Sequence, residues 1–336
     1  MFESSRLKCG VLCLIVTGVQ VTSPLPNGTS PRIAFASHRD GNWEVYVTDA
    51  DGRHQNRLTT RGTQDRFPLW SPDRSKIAFG SQVSGIDWEL WVMNADGTKP
   101  RPLCSHIVAK GFRQWSPDGA RIVLAAAVER DIEIFSVDVG AGRLNRLTTS
   151  PGEDRDPSWS PDGRHIVFSS TRDGNSEIYV MRADGSELRR LTNDRGDDLS
   201  PAWSPDGSRI SFVSGRDGAR DIYVIRPDGR GRQRLTIGAQ VTKDNPRWSP
   251  DGAHIALQTA NQDNYDIQLV RVADRHRTTV AGTSAYDGQY SWSPDGAQLA
   301  FISHRDGFDA VYVTDLAGKH VNRLTSTPSL NPEWSP

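Results

Sequence analysis

Cysteine is nearly absent: the 336 residues contain three, at positions 9, 13 and 104. Cys9 and Cys13 sit in an N-terminal apolar segment, so the remainder holds Cys104 alone. No internal disulfide can staple such a fold, and packing must hold it together. A dominant charge is missing as well, with 40 Lys and Arg against 41 Asp and Glu and a formal net charge of −1. That balance supplies no field for nucleic acid or for an anionic membrane surface, and excludes nucleic acid as a partner. Apolar residues are scarce, at 36%. The apolar run from Val11 to Val19 is too short to cross a bilayer.

That run follows Arg6 and Lys8 and leads into Val21-Thr22-Ser23 and then Pro24. A basic start, an apolar centre and small residues beyond form the pattern of a secretory leader. Residues 1–30 are therefore expected to be a signal peptide and short linker, with the rest of the chain periplasmic or secreted and not inserted in a membrane once the leader is removed. Neither Cys9 nor Cys13 follows the small residues of a lipoprotein site, so no lipid anchor is expected.

What the chain has in plenty is Gly (30), Pro (20) and Trp (10). Such a composition is poor in long helices and rich in turns, which favours many short strands. Trp-Ser-Pro recurs at Trp70, Trp115, Trp159, Trp203, Trp248, Trp292 and Trp334, at intervals of 42 to 45 residues. Five of the seven continue as Asp-Gly, and Asp73 is followed by Arg74. After each motif come three apolar runs. In one repeat these are Ile166-Val167-Phe168, then Glu177-Ile178-Tyr179-Val180, then Arg190-Leu191-Thr192.

The turns between these runs follow from residue chemistry. In Ser-Pro-Asp-Gly, Pro presets φ and Gly accepts the left-handed conformation that closes a tight hairpin. Arg-Asp-Gly at 39–41, 172–174, 216–218 and 305–307 separates the second and third strands, and further Asp-Gly pairs turn the third into the fourth. Each unit is thus a four-stranded meander of about 44 residues, the size of a propeller blade. A lone meander buries too little apolar surface, so blades must stack.

The chain ends supply the blade count. Residues 32–60 give three strands with no Trp strand before them, and the C-terminal stretch from Asn331 gives a Trp strand with nothing after it. Paired, they close the ring. The predicted fold is an all-β, seven-bladed β-propeller over residues 31–336, closed by a C-terminal inner strand that completes the N-terminal blade. The seven Trp side chains are expected to fill the wedges between blades. As binding aromatics they would instead line a site.

The string Trp159-Ser160-Pro161-Asp162-Gly163, followed by Ile166–Ser170, Arg172-Asp173-Gly174 and Glu177–Val180, resembles the WD40-like repeat of the TolB family. The resemblance covers residues 32–336. It implies a periplasmic propeller that works by protein interaction. That family's propeller has six blades and follows an α/β domain, whereas seven repeats are counted here after about thirty residues. Similar blades form the propellers of prolyl-oligopeptidase-type peptidases, and oligogalacturonate lyases are a seven-bladed case of catalysis on this scaffold.

No Gly-x-Ser-x-Gly elbow occurs, and none of the eight His forms a pair with metal-ligand spacing, so neither catalytic residues nor a protein metal site are assigned. The candidate site lies instead in the links between blades, which share a face with the Arg-Asp-Gly turns and open beside the channel. Asp65, Asp154, Asp198 and Asp287 each stand five residues before a Trp, and Asp244 lies in another link. Equivalent positions around a ring converge on one axis, so these carboxylates could form a partial acidic ring holding a cation such as calcium. Alternatively they cap strand starts and pair with neighbouring Arg. Two repeats also depart from the pattern: one has Ala125–Arg130 in place of Arg-Asp-Gly, and another has Asn261–Tyr265 and then Arg275-His276-Arg277 in place of a clean fourth strand.

The functional expectation is a monomeric, exported, non-catalytic scaffold without a cofactor, binding a protein or peptide on the channel-entrance face. The alternative is a propeller lyase or hydrolase acting on a saccharide in the channel.

Overall fold

The computed structural model describes residues 11–12, 30–84, 87–104, 106–108, 113–128, 131–238, 246–261 and 264–336. The proposed leader, residues 1–30, lies outside them except for Ser30 and for Val11–Leu12, which pair in parallel with His106–Val108. Every other element belongs to one of seven four-stranded antiparallel sheets arranged as a β-propeller. No helix among the described residues is long and apolar enough to cross a membrane.

Blade four shows how the repeat folds. Its inner strand, Asp154–Trp159, pairs with His165–Ser170, which pairs with Glu177–Arg182, which pairs with Arg189–Arg190. In the first turn Ser160 Oγ donates to Asp162 at 2.5 Å, and the His165 N–H donates to Ser160 Oγ at 2.9 Å. Gly163 takes φ +69° and its N–H returns to the Ser160 carbonyl. Ser160, Asp162 and Gly163 are therefore used by the turn itself. The third strand is pinned by Thr192, whose Oγ1 accepts from the Ile178 N–H at 2.8 Å and donates to buried Glu177 at 2.6 Å. Arg190 meets the same Glu177 at 2.9 Å. The acid ahead of the third strand and the Arg-Leu-Thr ending are two halves of one clasp, repeated at Glu44, Glu133 and Asp221.

Strand alternation buries both faces of every blade. Ile166 and Phe168 pack toward blade three with Trp159, while Val167 packs toward blade five with Trp203. Each of the seven apolar clusters joins two successive blades, and one of them joins blade seven to blade one through Trp334, Ile33 and Phe35. The seven Trp side chains are all buried in these interfaces. Those of Trp115, Trp248 and Trp292 also donate their indole N–H to a carbonyl of the preceding inner strand, at 3.1 to 3.2 Å.

Closure is made by Ser329–Trp334, which pairs antiparallel with Arg32–Ser37 in the register Ile33↔Trp334 and Ser37↔Ser329. Blade six differs from the sequence reading. Its outer strand is present as Arg277–Ala281, because Thr278-Thr279-Val280 supplies the β-branched run that pairs with Ile267–Val270. The other divergent repeat, in blade three, extends its hairpin over Arg121–Val128 and Asp131–Asp138.

One feature of the inner strands is not visible in sequence patterning. Three residues before Trp, a non-glycine residue adopts positive φ in five blades: Phe67, Asp156, Ser200, Gln289 and Asn331, at +47° to +58°. Each sits at a break in register with the second strand, a β-bulge that turns the strand around the channel. Side chains at this level bond from blade to blade, with Ser200 donating to Asp156 at 3.3 Å and Asn331 donating to Gln289 at 3.1 Å.

Candidate functional site

The links and the turns between second and third strands share one face, as the Asp198 N–H bonding the Ser176 carbonyl at 2.7 Å makes plain. On this face Asp65, Asp154, Asp198 and Asp287 are the first residues of their inner strands, and all four are buried. Each meets a guanidinium: Arg61 at 3.1 Å, Arg172 at 2.9 Å, Arg216 at 2.9 Å and Arg305 at 3.1 Å. Three of these arginines come from Arg-Asp-Gly turns. Arg172 folds back so that its Nε donates to Ser170 at 2.8 Å, its guanidinium lies 4.9 Å from the Tyr179 ring centre, and both oxygens of Asp154 accept from it. The Asp of the same turn, Asp173, accepts from Tyr179 and pairs with Arg190 at 3.1 Å. In blade two, where no such Arg exists, Arg61 crosses from the link to reach Asp65.

Charge on this level is therefore compensated. Burial pushes the Asp198 carboxyl up to about 6 and raises Asp65, while Ser and Thr hydroxyls and the paired guanidinia act in the opposite sense. Asp244 lies outside the described residues. Glu177, Asp194 and Asp198 bring carboxylate oxygens within 4.8 Å of one another, but Arg190, Arg216 and Arg232 occupy the same neighbourhood, with Arg216 3.0 Å from Asp194. Such a cluster is a salt-bridge network before it is a cation site.

The face also carries aromatic residues that the repeat does not demand. The position just ahead of the third strand's acid is Ser176 in blade four, but Trp43 in blade one, Trp88 in blade two and Tyr265 in blade six. Arg66, from the inner strand of blade two, lies 4.3 Å from the Trp43 ring centre and 5.8 Å from that of Trp88. Phe67 meets Trp88 edge to face at 5.5 Å, and His38 meets Trp43 likewise at 5.5 Å. Desolvation lowers the Arg66 pKa. On blades six and seven, exposed Tyr265 packs edge to face on Tyr286 at 5.6 Å. Tyr265 lies in the Asn261–Tyr265 stretch that departs from the repeat, whereas Trp43 and Trp88 stand out only when this one structural position is compared across the blades.

Two family models match the chain: Tricorn protease N-terminal beta propeller domain over residues 128–218, and TolB beta propeller domain over residues 239–336. No curated protein matches it. Among solved structures it is similar to TolB from Acinetobacter baumannii, at 21% identity and a TM-score of 0.61, covering 90% of this chain and 82% of that one. It is also similar to an oligogalacturonate lyase from Vibrio parahaemolyticus, at 17% identity, a TM-score of 0.71 and coverage of 84% and 85%. A puromycin-hydrolyzing peptidase from Mycobacterium tuberculosis is similar over 93% of this chain and 58% of that one, at 16% identity and a TM-score of 0.67. At these identities the structures speak to fold. The chain is a seven-bladed β-propeller. Within that class its WSPDG repeats are TolB-like over residues 239–336, the stretch that the TolB beta propeller domain model matches.

Proposed function

We propose that the protein is an exported, non-catalytic scaffold that holds a protein or peptide partner on the face of the links and Arg-Asp-Gly turns. The observation that carries this reading is the half-buried pair Trp43 and Arg66 with exposed His38 beside it, backed by buried Phe67 and Trp88, across blades one and two. Aromatic and Arg side chains anchor protein interfaces because they bury large area with little loss of conformational freedom. Half-buried Trp43 and Arg66 stand where the fold does not require them. The described carboxylates of the inner-strand starts are each tied to an Arg, which suits a packing role better than acid or base catalysis on a saccharide.

The test is capture from envelope extract with wild-type protein and with Trp43→Ala and Arg66→Ala. Loss of one defined partner in both variants, with thermal stability kept, supports the reading. Recovery unchanged in both sinks it. Incubation with oligogalacturonate and manganese serves the alternative: formation of an unsaturated product would replace the scaffold reading with a lyase.

A further inference from the structure

The channel has a second surface, on the side of the WSPDG turns. The residue just before each Trp lines it, and from Leu69 round to Glu333 these run Leu, Gln, Ser, Ala, Arg, Ser and Glu. With six of the indoles and the neighbouring prolines they bound a cavity of about 80 Å³. One water needs roughly 10–15 Å³ on this measure, so the space suits a ligand of several heavy atoms.

Besides the indole nitrogens of Trp70, Trp203 and Trp334, which have no acceptor, three polar side chains on its wall are more than nine-tenths buried and leave an atom without a hydrogen bond. Glu333 is 6% exposed, and its Oε2 accepts no hydrogen bond. Gln114, 3% exposed, accepts the Trp159 backbone N–H on Oε1 at 2.6 Å, while its Nε2 donates to nothing. Ser158, 6% exposed, has no partner on Oγ. Each unpaired buried group costs about 1–3 kcal/mol, so three on one wall call for a polar occupant.

Charge narrows the class. The charged side chains on the described wall are Arg247 and Glu333, with Nη1 and Oε2 3.8 Å apart. That is too long for a hydrogen bond and short enough for each to offset the other's field, so a ligand of either sign would meet one like charge. Burial also pushes the Glu333 carboxyl up to about 7, so it both accepts and donates near neutral pH. An apolar ligand would leave all three groups unpaired. A hydroxyl, by contrast, donates and accepts at one oxygen.

We propose that this cavity binds a small neutral polyhydroxyl compound, with hydroxyls donating to Glu333, accepting from Gln114 and exchanging both roles with Ser158. The indole and proline walls pack its C–H groups. The site is on the opposite side of the channel from Trp43 and Arg66 and does not depend on a partner binding there.

Glycerol and D-xylose are the probes, titrated into the full chain and followed by tryptophan fluorescence. A saturable change is expected with at least one of them. Gln114→Ala and Ser158→Ala should each weaken it about tenfold, the loss of one hydrogen bond to the ligand. Arg66→Ala, on the other face, should leave it unaltered, which separates this site from the partner surface. Ser158→Ala removes a single oxygen and keeps the test open even if Gln114→Ala does not fold. Galacturonate and ethylamine should bind more weakly than the neutral probes. A linear response to both neutral probes, affinity unmoved by Gln114→Ala and Ser158→Ala, a preference for either charged compound, or a glycerol-soaked crystal with water alone in the cavity would each overturn the proposal.

Discussion

Arg216 reaches from the turn between two strands to Asp198 at the start of the inner strand, 2.9 Å away and 18 residues earlier in the chain. The same guanidinium lies 4.6 Å from the Tyr223 ring centre and bonds Ser214 through Nε at 2.7 Å. One side chain thus ties the inner, second and third strands of blade five together at their channel-entrance ends.

Arg216→Ala should destabilise the protein by about 3 kcal/mol near neutral pH, because a buried carboxylate loses its partner. The deficit should shrink toward about pH 5. Asp198 titrates at about 6 when folded, above the 3.8 of its unprotected form, so its contribution is full below that lower value and lost as pH rises through the folded one. Protonation makes the missing guanidinium matter less. Urea denaturation of both proteins at two pH values measures this. A deficit that is the same at both would mean that Arg216 acts through Tyr223 and Asp194 and not through Asp198.

Glu333 gives a pH prediction for the channel. Burial holds its carboxyl at about 7 against a usual 4.5, with Arg247 pulling the other way. The proton it binds on folding therefore stabilises the protein fully below the usual value, and that stabilisation is lost as pH rises through 7. Glu333→Gln has no such titration. From about pH 4 to about pH 8 the stability difference should move in the variant's favour by about 3 kcal/mol, at about 1.4 kcal/mol per pKa unit. Asp156, raised to about 6 by burial, titrates in both proteins and drops out of the difference. Parallel stability curves for the two would refute the assignment.

Ring closure is testable by deletion of residues 329–336. Arg32–Ser37 would then be an exposed sheet edge, and Ile33 and Phe35 would lose the indole of Trp334. Unpaired edges template association. Light scattering on the truncated chain should report oligomers, and its thermal midpoint should fall well below that of the full chain. Trp334→Ala alone should cost about 4 kcal/mol, as for a large buried ring. A monomeric truncation of unchanged stability would show that the last strand is dispensable.

The fold was legible because its information is local. Ser160, Asp162 and Gly163 make their turn with one another, and Ile166-Val167-Phe168 alternates faces within three residues. The candidate site was legible only by half. Asp154 and Asp198 could be placed at equivalent points of a ring, yet whether they stood free or met Arg172 and Arg216 turned on how each turn folds back over its own sheet. The outer strand of blade six was not legible, because the charged Arg275-His276-Arg277 stands where the other repeats begin this strand and the Thr278-Thr279-Val280 run that pairs comes after it.

By itself the sequence determined the repeat and the blade count, since spacing and turn chemistry act over a few residues, and the complementary strand sets near its two ends determined their pairing. Only the tertiary structure decided which side chains share the channel. Arg247 and Glu333 belong to blades six and one and stand 3.8 Å apart solely because the ring closes between them. Electrostatic partnership depends on distance in space, and motif spacing along the chain carries none of it.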